Sequence, residues 1–78
     1  MNISDPESIA RFVQLLTGLQ SRLYAYLCTL LVRSDDARDV LQETNVVLWK
    51  KAADYDPTRP FEPWAFRFGL DHWEHRRL

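Results

Sequence analysis

The sequence predicts an all-α domain, a small bundle of three helices, or four if Gly18 divides the first. Two observations lead there. Apolar residues recur at helical spacing through Ile9, Phe12, Val13, Leu16, Leu19, Leu23, Leu27, Leu30 and Leu31. They recur again through Ala37, Val40, Leu41, Thr44, Val47 and Leu48. A third observation bounds the size: 78 residues, 46% of them hydrophobic, allow one domain over residues 1–78 with one modest core.

The first helix is expected to open at Asp5 as N-cap, with Pro6 at its first position and Glu7 in its first turn. It should run to about residue 32, with Phe12, Leu16, Leu23 and Leu27 in a core shared with Leu41 and Leu48. Ser34 or Asp35 is the next expected N-cap, followed by acids that the helix dipole favours. That second helix should reach about Ala53. Residues 54–60, Asp-Tyr-Asp-Pro-Thr-Arg-Pro, form a loop by their two prolines. The third helix is expected from Phe61–Pro63 through Arg77. Trp64 and Phe68 share one of its sides with Arg67, Asp71 and His75, while Phe66, Leu70 and Trp73 share the other with Ala65 and Gly69. A helix at the edge of a three-helix domain has a single inside, so one aromatic face should be open to a ligand.

Composition narrows the function. The lone Cys28 has no partner for an internal disulfide and lies in an apolar run, which reads as a buried thiol. No apolar run reaches the length of a membrane span, and the N-terminus carries no signal-type segment, so a cytoplasmic location is expected. The formal net charge of −1 conceals a gradient. The second helix and the following loop are acidic, whereas the last twenty or so residues hold four arginines and both histidines. Eight of the ten basic residues are Arg, the cation suited to paired hydrogen bonds with phosphate or carboxylate.

Catalytic arrangements are scarce. Asp39 and Glu43 are one turn apart but need a cleft to separate their pKa values. His72, His75 and Asp71 lack the further ligand a zinc site wants. Asp54 and Asp56 lack the glycine and closing Glu of a calcium loop. No phosphate loop or nucleophile motif is present. The chain is expected to be no enzyme and to need no metal or cofactor.

Two surfaces stand out instead. On the second helix Val46 and Trp49 fall among Asp39, Gln42, Glu43 and Lys50, on the side opposite the apolar stripe, which suggests a docking surface. On the third, Phe61, Trp64, Arg67 and Phe68 combine aromatic stacking planes with a cation, and Arg76 and Arg77 could hold adjacent backbone. Single-stranded nucleic acid requires that combination.

Together these segments resemble conserved region 2 of the bacterial sigma-70 family, most of all the extracytoplasmic-function (ECF) group. The residues that carry the resemblance are Asp39-Val-Leu-Gln42-Glu43-Thr-Asn45-Val-Val-Leu-Trp49 and Phe61-x-x-Trp64-x-x-Arg67-Phe68, in a stretch of similarity from about residue 8 to 78. The resemblance implies that the second helix docks on the clamp helices of the largest RNA polymerase subunit through Asp39, Gln42, Glu43, Asn45 and Trp49, and Val46, on the same exposed side, is expected to join them. It implies that the third helix and the loop before it recognise and melt the minus-ten promoter element. The non-template strand would then meet Arg59, Phe61, Trp64, Arg67, Phe68, Asp71, His75, Arg76 and Arg77, with residues 54–60 lining a base pocket. An anti-sigma factor is a further implied partner.

Two positions depart from the ECF pattern: Asp71 stands where Asn is usual, and His75 replaces an acidic position. Asp71 would repel phosphate yet could accept from a cytosine amino group. The helix-turn-helix region 4 is missing, so a fragment is expected. The alternative reading is a helical protein-interaction module without DNA binding.

Overall fold

The computed structural model describes residues 2, 4–31 and 33–77, the side chains of Arg76 and Arg77 excepted. It holds three helices, α1 (Pro6–Leu30), α2 (Ser34–Lys50) and α3 (Phe61–Arg77), with a 3-10 turn at Ala52–Asp54. Each helix packs against the other two.

Helix α1 starts as its sequence dictates. The Asp5 carboxylate accepts from the Ser8 amide at 3.3 Å and from the Ser8 hydroxyl at 3.0 Å, and Pro6 takes the first helical position. Phe12, Leu19, Leu23 and Leu27 are its buried residues. Leu16 is half-buried against them, Cys28 likewise, and Val13 is 44% exposed rather than part of the core. Gly18 does not divide the helix. It lies on the exposed side with open space where a Cβ would be and without positive φ, so the run stays continuous for 25 residues. Trp73 Nε1 donates to the Leu30 carbonyl at 3.0 Å, so a side chain of α3 satisfies an oxygen at the C-terminal end of α1.

The N-cap of α2 lies one residue before Ser34 and two before Asp35, the two expected caps. Arg33 is the N-cap and makes no side-chain capping bond. Asp35 and Asp36 instead lie in the first turn, where the positive end of the helix dipole favours them. Ala37, Val40, Leu41, Thr44 and Leu48 are buried, and Val47 is half-buried at the edge of the stripe. Thr44 satisfies its hydroxyl within the helix by donating to the Val40 carbonyl at 2.7 Å. The helix stops at Lys50, short of Ala53, and tightens into the 3-10 turn through bonds from the Asp54 amide to Lys51 and from the Tyr55 amide to Ala52. Leu41 joins the common core. Leu41→Ala is expected to cost about 2–5 kcal/mol in denaturant unfolding; a loss under about half a kcal/mol would show that the site is not core.

Helix α3 departs from the expectation of one inner and one outer aromatic face. Its innermost line is Phe61, Ala65 and Gly69, spaced one turn apart and all buried. A Cβ on Gly69 would stand 3.2 Å from Leu23 Cδ1, 3.8 Å from Thr44 Cγ2 and 3.9 Å from Leu27 Cδ2. The absent side chain is what lets α3 settle into the groove between α1 and α2. Small residues on that line draw the helix deep enough that both aromatic sides are half-buried. Phe66 stacks on Tyr26 of α1 with ring centroids 5.3 Å apart, and Trp64 meets Phe12 edge-on at 6.3 Å.

Candidate functional site

Phe12 is the hub from which both candidate surfaces are positioned. Its buried ring lies 5.5 Å from Phe61, 6.3 Å from Trp64 and 5.9 Å from Trp49. Tyr55 closes the cluster at 5.2 Å from Phe61 and 5.0 Å from Trp64, and Phe68 extends it at 5.2 Å from Trp64. One aromatic network therefore runs from α2 through α1 to α3.

On α2, the exposed side carries Asp39, Gln42, Glu43, Val46 and Trp49. Val46 is 53% and Trp49 48% exposed; with Val13 they are the large apolar residues left open among those described. Trp49 is not wholly outward, since one side of its ring rests on Phe12. The indole is thereby held in place while its other side meets solvent. Glu43 faces His72 of α3 at 4.0 Å.

Asn45, expected as a docking contact, is held from within the fold. It is half-buried, and its amide is engaged by Gln20 of α1 in both directions, at 2.8 and 2.9 Å. A side chain that donates and accepts within the fold has less to offer an outside partner.

The second surface is a groove of about 500 Å³ lined by Asp54, Tyr55, Asp56, Arg59, Pro60, Pro63, Trp64 and Arg67. Local turn chemistry builds its rim. Asp56 accepts from the Thr58 amide at 3.0 Å and the Thr58 hydroxyl at 2.7 Å, and its carbonyl takes the Arg59 amide at 3.0 Å. Those bonds from Thr58 hold the Asp56 carboxyl below its ordinary pKa. The turn is thus firmest with Asp56 ionised, and that support is lost only as pH falls through the lowered value. Tyr55 donates its hydroxyl to the Arg59 carbonyl at 2.5 Å. Burial pushes that hydroxyl's pKa up, so it remains a donor.

The expected nucleic-acid residues divide by position. Arg59, Trp64 and Arg67 meet at the groove. Phe61 does not; it is 6% exposed and packs beneath as core, because its place on the inner line of α3 directs it at Phe12 and Tyr55. Phe68, Asp71 and His75 line a separate shallow hollow of about 240 Å³ together with His72. The Trp64–Phe68 ring pair forms the ridge between the two. The side chains of Arg76 and Arg77 lie outside the described residues.

Sequence reasoning gave Pro63 no role, weighed His72 only as a metal ligand, and included Tyr55 only as part of the 54–60 loop. A lone aromatic inside an otherwise polar loop was the available signal for Tyr55. Among the described residues no three His, Cys, Asp or Glu side chains are grouped to hold a metal, and no helix is long and apolar enough to cross a membrane.

Three helices thus carry an acidic, Trp-bearing face on the second and an aromatic–arginine groove before the third. Residues 15–69 match the family of sigma-70 region 2, and the chain belongs to that family. Among curated relatives, the RNA polymerase sigma factor CnrH of Cupriavidus metallidurans is 50% identical over 36 residues, 46% of this chain and 19% of that protein. The RNA polymerase sigma factor NccH of Alcaligenes xylosoxydans xylosoxydans is 38% identical over 40 residues, 51% of this chain and 22% of that protein. The matched segments thus span about a fifth of each relative's length. No solved structure matches the chain at a significant level.

Proposed function

We propose that this chain acts as region 2 of an ECF-type sigma factor, docking on RNA polymerase and recognising and melting the minus-ten promoter element. The observation that carries the reading is a juxtaposition. An exposed Val46–Trp49 pair on an acidic face is linked through Phe12 to a groove that brings Trp64 together with Arg59 and Arg67. Asp39, Gln42 and Glu43 would select a basic partner and speed its approach, with Trp49 supplying most of the binding energy. The clamp helices of the largest polymerase subunit are the proposed partner.

Unpaired bases of the non-template strand would stack on the half-open ring of Trp64 and on Phe68, while Arg59 and Arg67 reach for phosphates. Asp54 and Asp56 offset those arginines within the groove, so stacking and hydrogen bonding would outweigh charge there. Asp71 and His75, beside Phe68, are positioned to meet a neighbouring base; Asp71 could accept from a cytosine amino group. The proposed role involves no catalytic step by the chain itself. An anti-sigma factor competing for the docking face is a further proposed partner, and the cytoplasm the proposed location.

Trp64→Leu keeps apolar bulk in the aromatic cluster but removes the stacking plane. It is expected to weaken binding of a single-stranded minus-ten oligonucleotide by about 1–3 kcal/mol. Arg67→Ala should instead weaken all sequences alike and reduce the salt dependence by about one unit of slope. Fluorescence titration over a range of salt concentrations reads both effects. Equal affinity of wild type and Trp64→Leu for every oligonucleotide would defeat base capture at this groove and favour a protein-interaction module.

A further inference from the structure

We infer that Gln20 and Asn45 form a positioning clamp that sets how α2 presents its docking face, with Gln20, outside the Asp39–Trp49 motif, as an unassigned determinant of polymerase binding. This inference rests on the docking reading above.

The two amides are joined head to head. Gln20 Nε2 donates to Asn45 Oδ1 at 2.9 Å, and Asn45 Nδ2 donates to Gln20 Oε1 at 2.8 Å. The second hydrogen on Gln20 Nε2 goes to the Leu16 carbonyl of its own helix at 3.0 Å, which fixes the Gln20 rotamer. Both hydrogens of that amide are thus committed, and the pair is anchored to the α1 backbone.

Position on α2 gives the pair its leverage. At 100° per residue, Asn45 lies about 40° from Trp49 and about 60° from Gln42 around the helix. It occupies the border between the buried stripe and the exposed side. The rest of the α1–α2 contact described above is aliphatic and aromatic, and such packing tolerates small rotations and slips. A reciprocal amide pair does not, because both bonds are lost together if either helix turns or slides. Polar pairs at helix interfaces specify register in this way. Holding Asn45 against α1 therefore fixes the direction in which Val46 and Trp49 point.

A double-mutant cycle on polymerase affinity tests the clamp. Gln20→Met and Asn45→Leu keep similar length and bulk but remove the paired hydrogen bonds. Apolar replacement of both partners leaves stability close to wild type. Affinity for core RNA polymerase is measured well below each variant's melting temperature, with Trp49→Ala as the reference for loss. Each single variant is expected to bind about tenfold more weakly, and the double variant no more weakly than either one. Wild-type affinity for Gln20→Met beside a loss for Asn45→Leu would make Asn45 a direct contact and overturn the clamp. So would losses that multiply in the double variant, or wild-type affinity throughout the cycle. Wild-type affinity for Trp49→Ala would instead defeat the docking reading itself, and the clamp's role with it.

Discussion

Phe12→Ala is expected to destabilise the domain by about 3–5 kcal/mol, a large share of the 5–15 kcal/mol typical of folded domains. The ring is fully buried and touches Trp49, Phe61 and Trp64, which belong to two other helices. Its removal leaves a cavity walled by rigid rings that cannot collapse into it easily. The loss also reaches both candidate surfaces, since Trp49 and Trp64 rest on the same side chain. Urea unfolding followed by helicity measures the stability change. A loss below about 1 kcal/mol would show that Phe12 is not the keystone of the aromatic network.

Trp49→Ala should reduce polymerase binding by at least about 2 kcal/mol, roughly thirtyfold, as a truncated interface hot spot does. Its effect on stability should be much smaller. The indole is 48% exposed and has one tilted ring contact, to Phe12, of the kind that contributes about 0.5–1.5 kcal/mol. The neighbouring Leu48 is fully buried, and Leu48→Ala should give the reverse pattern, costing about 2–5 kcal/mol of stability. Parallel melting curves and binding titrations separate the two cases. If Trp49→Ala melts as early as Leu48→Ala, the indole is structural and the docking face is misassigned.

Much of this was legible in the chain because local rules decided it. Asp5, Pro6 and the spacing of Phe12, Leu19, Leu23 and Leu27 define α1 without tertiary help, and the α2 stripe from Ala37 to Leu48 follows the same period. The misreadings share a cause. Phe61, Ala65 and Gly69 were the true inner line of α3, but Ala and Gly carry little hydrophobic signal. Only the closeness of Gly69 to Leu23, Leu27 and Thr44 reveals that the helix sinks between its neighbours. Phe61 consequently looked like a ligand-facing aromatic when it is core. The bond from Asn45 to Gln20 had no local signal, because its partner is 25 residues away on another helix. Gly18, conversely, signalled a break that the exposed side of a long, well-packed helix absorbs.

The proposed function joins docking to strand capture, and one measurement addresses both directly. A labelled single-stranded minus-ten oligonucleotide is titrated with core RNA polymerase in the presence and absence of this chain. The account predicts that the wild-type chain confers sequence-selective, salt-sensitive retention of the oligonucleotide on polymerase. Trp49→Ala should lose that retention by failing to dock, and Trp64→Leu should lose it while remaining bound. A polymerase that has taken up the wild-type chain yet holds the oligonucleotide no better than the core alone would contradict the account.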